Sequence, residues 1–357
     1  TRRAQDQADV ASAEGARCAP PYARKKPEAM RRTLPTPGER RFTRGVVLAL
    51  SDITSWNWPE EASYAGLTTI ATHGMAGDSA EFMQSEVGEE LRTRCERVGV
   101  EIEHELHAAR ELLPRELFAR HPDMFRMNEA GDRVPDANLC VHSEEALEVC
   151  CQNAAALARA LAPTTGRHFF WIDDGQPMCR CSRCRPYSDS DQALILENRL
   201  LTTLRKDNPK ATLAHLAYAN TLWPPADVKP LPGVFLEFAP IQRRYDLPFG
   251  VRDARPGGEK APGHGEQLDA LDANLELFGA EGAQALEYWL DVSRFSGWNR
   301  ANVARIPWDK RIVEADAKLY HDRGVRNVTT FAVWLDGDYV RRFGTPPLRE
   351  YGDALRW

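Results

Sequence analysis

Residues 169–184 read FFWIDDGQPMCRCSRC: an aromatic run, two adjacent carboxylates, then three thiols within six positions. Two carboxyl groups facing one pocket, one protonated and one ionised, are what hydrolysis of a glycosidic bond requires. Tryptophan and tyrosine beside them would give sugar rings flat apolar faces to stack on. Alternation along a strand sends Asp173 and Asp174 to opposite faces, so one of them enters the pocket. Asp174 is expected as the general acid, with Asp173 orienting it or bonding nearby backbone. The plainer alternative is an Asp-Asp-Gly turn with no chemistry.

Behind the acids the order is Cys179-x-Cys181-x-x-Cys184. Two disulfides between such close thiols are sterically awkward, whereas a tetrahedral zinc accepts the spacing and needs one more ligand. Cys140 is expected to supply it, with His142 in reserve. An all-cysteine set is closed to water, so the zinc is expected to be structural. One disulfide plus a free thiol is the alternative, and a metal-dependent hydrolase using the cluster is a rival reading. Cys95, Cys150 and Cys151 read as packing residues.

These residues need elements to carry them. From about residue 45, short apolar runs alternate with helical patterns: RGVVLALSD (44–52), GLTTIATHG (66–74), GVEIEHELH (99–107), RHFFWIDD (167–174), ATLAHLAYAN (211–220), GVFLEFAP (233–240), AQALEYWLD (283–291) and VRNVTTFAVWLD (325–336). That makes eight strand candidates. Between them, Ser143 caps one amphipathic helix, DQALILENRLLTTLRK stops at Pro209, and DKRIVEADAKLYHDR stops at Gly324. Alternation over nearly the whole chain predicts parallel strands joined by crossovers, and eight units close into a (β/α)8 barrel, the TIM-barrel architecture. No glycine-rich phosphate loop follows the first strand, which argues against a nucleotide-binding open sheet.

In such a barrel the carboxyl ends of the strands line one pocket. Those ends carry Asp52, His73, His107, Asp173 with Asp174, Tyr218 with Asn220, Glu237, Glu287 with Trp289 and Asp291, and Trp334 with Asp336. Glu237 and Glu287 each interrupt an apolar strand, where an acid is costly unless paired or used. One of them is expected as base or nucleophile; the alternative for each is a buried ion pair with Arg243, Arg244 or Arg294. Glu287, Trp289 and Asp291 are expected to share a face. His107, Tyr218, Asn220, Trp289, Asp291, Trp334 and Asp336 are expected to contact substrate.

The net charge of -6 hides an asymmetry: residues 1–44 hold 11 Lys plus Arg against 5 Asp plus Glu, and the remainder 35 against 47. The acidic body argues against a nucleic-acid groove. Residues 1–40, basic and rich in Ala, Pro and Arg, read as a loosely structured lead-in, with a single barrel domain over 41–357. No run is apolar enough to span a membrane. With no apolar leader in this sequence, the protein is either intracellular or its leader stands outside it; thiols read as metal ligands tilt the reading toward the cytoplasm. The oligomeric state is left open, a homo-oligomer included.

The ordered series LHAARELLPRELFARHPDMFRMNEAGDRVPDANLCVHSEEALE, WIDDGQPMCRCSRCR, DSDQALILENRL, LAHLAYANTLWPP, FLEFAPIQRRYD and LEYWLDVSRFS resembles the bacterial domain-of-unknown-function family numbered 4838, over about residues 40–350. The resemblance implies a glycoside-hydrolase-like barrel, distantly similar to β-hexosaminidases and α-glucuronidases. It places the family's motif residues on His107, Asp174 and Gly175, the cysteine set on Cys140, Cys179, Cys181 and Cys184, and its two glutamates on Glu237 and Glu287. Hexosaminidases carry Asp-Glu after the fourth strand where this chain has Asp-Asp, so their substrate-assisted mechanism is not implied. The expected function is hydrolysis of an oligo- or polysaccharide; a non-catalytic carbohydrate-binding barrel is the alternative.

Overall fold

The computed structural model describes residues 42–257 and 261–356; the expected lead-in, residues 1–40, lies outside them. Eight parallel strands close into a barrel in sequence order: β1 Arg44–Ala49, β2 Thr69–His73, β3 Glu101–His107, β4 Arg167–Trp171, β5 Thr212–Ala217, β6 Val234–Phe238, β7 Gln284–Glu287 and β8 Asn327–Phe331. Among the described residues no helix is long and apolar enough to cross a membrane.

The period of two divides each strand between two cores. Val46, Leu48, Ile70, Ile102, Leu236, Phe238, Ala285 and Val328 face outward and pack under the helices. Val47, Ala71, Phe169, Trp171, Leu216, Phe235, Leu286 and Phe331 fill the barrel. β1 and β2 approach closely at Gly45, where an added Cβ would lie 3.1 Å from both Thr329 Cγ2 and Thr69 O. The helix Glu144–Ala160 starts on Ser143, and Asp189–Asp207 starts on a reciprocal Ser188–Asp191 capping box.

The interior also carries a polar layer. Gln284 Nε2 donates to Glu237 Oε1 (2.8 Å), Glu105 Oε1 (3.1 Å) and Thr329 Oγ1 (3.1 Å), while Trp171 Nε1 donates to Glu237 Oε2 (2.8 Å). Glu105 and Glu237 are fully buried. Burial pushes the Glu237 carboxyl up to about 8, and burial together with the Glu237 charge raises Glu105 well above the carboxylate range. A folded-state value above the unfolded one means stability that is full below about 4.5 and lost as pH climbs through about 8. Glu237→Gln, a neutral isostere, is therefore expected to flatten the fall in melting temperature between pH 5 and pH 9 by about 5 °C, with hydrolysis largely kept. Unchanged pH dependence in a melting series would show that this carboxyl does not hold its proton.

Candidate active site

The carboxyl ends of the strands surround a mouth of about 230 Å³. Its floor and walls include His73, His107, Trp171, Tyr218, Tyr288 and Phe331, and two carboxyl groups reach it, Asp174 after β4 and Asp291 after β7. All four non-glycine residues with positive φ among the described residues lie in loops at this end: Asn138 (45°), Ala219 (48°), Trp298 (54°) and Trp334 (67°). Left-handed backbone at residues with a Cβ costs energy, and folds tolerate it where loop shape is used.

Asp174 is the solvent-facing member, its side chain 65% exposed. Its Oδ1 lies 3.8 Å from His107 Nε2, and it neighbours Tyr218, whose phenol is held protonated by burial and by the Asp174 charge. His107 Nδ1 donates to Ile172 O (2.6 Å) and His73 Nδ1 donates to Glu105 O (2.7 Å). Carbonyls only accept, so both rings hold their Nδ1 proton there, and Nε2 is the atom left for the mouth. Burial, then the neighbouring His107, lowers His73 to about 4, so it is neutral at pH 7.

Asp291 is the sheltered member, 4% exposed. Its Oδ1 accepts from Ser293 Oγ (2.6 Å) and Arg294 N (3.2 Å) at the start of a short helix. Burial raises its pKa despite those bonds. The mouth thus pairs one wet carboxylate with one desolvated carboxyl, environments that push two acids toward different roles.

Asp173 turns away from the mouth. Its Oδ2 accepts from Arg115 Nη2 (2.9 Å) and Asn138 N (2.6 Å), and its own N–H donates to Asn138 Oδ1 (2.9 Å). Asn138 Nδ2 in turn donates to Gln176 O and Pro177 O. The left-handed Asn138 therefore staples the two sides of the turn that presents Asp174.

The staple continues into the thiols. Cys140, Cys179, Cys181 and Cys184 are buried, and their sulfurs all lie within 4.8 Å of one another. Cys140 Sγ is 3.8 Å from both Cys181 Sγ and Cys184 Sγ. A tetrahedron of thiolates about 2.3 Å from a zinc ion has edges of about 3.8 Å, so the set could hold a metal ion. His142 Nδ1 lies 3.2 Å from Cys184 Sγ, beside the set.

Six of the expected site residues lie elsewhere. Glu287 and Trp289 do not share a face with Asp291 at the mouth: they point outward, beneath the helix Lys310–Asp322. Tyr320 OH donates to Glu287 Oε1 (2.6 Å), Arg243 Nε to Glu287 Oε2 (3.3 Å), and both Arg243 Nη2 and Trp289 Nε1 to Asp316 Oδ2 (2.6 and 3.2 Å). Glu287 is half of a buried ion pair with no exposed surface. Glu237 does point into the barrel, yet one layer too deep, sealed below Trp171. Asn220, Trp334 and Asp336 also stand outside the mouth. Asn220 bonds Gln176 O and Asp189, the Trp334 N–H donates to Asp52 Oδ2, and Asp336 caps the helix Gly337–Phe343 and pairs with Arg300. His107, Tyr218 and Asp291 line it, joined by Tyr288 and Trp298, which the sequence reading missed.

One family model, "Domain of unknown function (DUF4838)", matches residues 37–256. No sequence among curated proteins matches the chain. Among solved structures it is similar to a beta-N-acetylhexosaminidase from Bacteroides fragilis NCTC 9343 at 11% identity and TM-score 0.51, covering 89% of this chain and 66% of that one, just under two thirds. It is similar also to the catalytic domain of a beta-amylase from Paenibacillus polymyxa at 10% identity and TM-score 0.51, covering 88% and 97%. At these identities the likeness shows the fold, a TIM barrel, and no more.

Proposed function

The chain belongs to the DUF4838 family, and from that premise we propose that it is a glycoside hydrolase in which Asp291 and Asp174 act on opposite sides of one sugar–oxygen bond. The observation carrying this reading is the pairing of a desolvated and a solvent-facing carboxyl at a mouth walled by aromatic rings. Asp291, whose pKa burial raises, is the acid that gives a proton to the departing oxygen as the C–O bond breaks. Asp174 acts as base on water or as nucleophile, with Tyr218 and His107 beside it in the mouth. This exchanges the part first expected of Asp174, because proton retention follows burial and Asp291 is the buried one. Trp171 and Tyr288, both buried, form the apolar floor and wall on which the sugar would rest.

We assign zinc to the four thiols as a structural ion, with Cys140, Cys179, Cys181 and Cys184 as ligands. When bound it would cross-link the segment around Asn138 to the turn after Asp174, and it leaves no position for water. A single domain over residues 41–357 and a carbohydrate substrate belong to the same reading. Both structural neighbours are, by name, carbohydrate enzymes. The test is a screen of nitrophenyl glycosides and soluble polysaccharides with purified protein. Turnover of at least one supports the reading, whereas saturable glycan binding with no turnover of any would make this a binding barrel.

A further inference from the structure

A second cavity, about 920 Å³, opens beside the mouth and is four times its volume. Tyr218, Ile241 and Trp298 line both, so the two spaces adjoin, and Tyr245, Arg294 and Trp308 also line the larger. The mouth falls below the ~300–1,000 Å³ typical of small-ligand sites and the adjoining trough sits near the top of that range. A substrate confined to the mouth would leave the trough without use.

Trp298 is the most exposed large hydrophobic residue among the described residues, at 66%. It is nevertheless fixed: Gly297 and Trp298 take successive left-handed conformations (63° and 54°), and the Trp298 N–H donates to Ser293 O at 2.7 Å. A tryptophan held open to water on strained backbone is costly on both counts unless something covers it. Trp308 is half-buried and pinned by its indole N–H to Glu350 Oε2 at 2.8 Å. The same cavity is lined by polar groups of both signs: Arg294, whose guanidinium donates to Ile241 O while stacking on Tyr245, and the Arg244–Asp246 pair. Rigid aromatic faces beside hydrogen-bonding groups match a sugar chain, whose rings have apolar faces and hydroxyl edges.

Resting on the hydrolase reading above, we propose that the trough is a set of subsites for a linear glycan, with Trp298 and Trp308 as stacking platforms for sugar residues beyond the one held at the mouth. The test uses intrinsic tryptophan fluorescence on the full chain carrying Asp174→Asn, which slows cleavage. It compares cello-, xylo-, manno-, chito- and malto-hexasaccharides with the matching disaccharides. At least one hexasaccharide is expected to bind about tenfold or more tightly than its disaccharide, and Trp298→Gly or Trp308→Ala to reduce that ratio about tenfold each. Glycine is chosen at 298 because it accepts the left-handed conformation, and circular dichroism with a melting curve confirms that each variant folds. Equal affinity for short and long chains in every series, or a ratio untouched in both folded variants, would overturn the proposal. A hexasaccharide advantage in a protein whose wild type cleaves nothing would sink the hydrolase reading and keep the trough; cleavage without chain-length preference would do the reverse.

Discussion

Asp174→Asn is expected to lower hydrolysis by roughly 10²–10⁴-fold, the range for removing one positioned proton-transfer group, while glycan affinity changes only a few-fold. The substitution keeps size and polarity, and the side chain sits largely in water, so neither packing nor a buried charge is disturbed. The turn itself is held by Asn138 and Asp173, whose bonds the substitution leaves alone. The loss should therefore fall in kcat, with KM and melting temperature close to the parent. Steady-state kinetics on the best substrate of the screen decide the matter. A variant with full activity would remove Asp174 from the chemistry.

The second large effect concerns the thiols. Purified protein is expected to hold one zinc per chain by elemental analysis, and Cys184→Ser, or exhaustive chelation, to lower the melting temperature by about 10 °C. The barrel has its own core on both sides of the sheet, so the fold should persist without the ion. What loosens is the joint between the Asn138 segment and residues 176–184, and with it the turn that aims Asp174. Activity should accordingly fall together with stability and return on adding zinc, since a misplacement of about 1 Å can cost a hundredfold in rate. Metal-free protein two mass units light, indicating a disulfide, would replace the zinc account with an oxidised one.

The barrel was legible because each strand shows as an apolar run between helical patterns, and eight such runs in alternation leave few topologies. Strand ends were less legible, and the site depends on them. The run AQALEYWLD suggests a strand to residue 291, but β7 stops at Glu287. Counting by twos from Glu287 places Asp291 on the same face, yet the chain leaves the strand after Glu287, so Asp291 turns to the mouth while Glu287 and Trp289 face the helices. The identity of Gln284, a polar residue in the interior, was the one local signal of the true parity. For Glu237 the face was readable and the depth was not: height within a barrel depends on stagger between strands, here Leu216 opposite Glu237 and Glu237 opposite Gln284. Cys179, Cys181 and Cys184 were readable because their spacing forces proximity, while Cys140 was placed by its position after the third strand and before the helix leading to the fourth. Trp298 lies in an excursion after β7 whose left-handed turn leaves little mark in sequence beyond Gly297.

The pairing of a buried proton donor with a wet carboxylate is most directly tested by Asp291→Asn on a series of aryl glycosides with leaving groups of rising pKa. If Asp291 protonates the departing oxygen, the variant should be within about tenfold of the parent on the most acidic phenol and fall progressively behind, to roughly 10²–10⁴-fold, as the leaving group becomes more basic. A loss of equal size across the whole series, or none at all, would contradict the assignment of Asp291 as the acid.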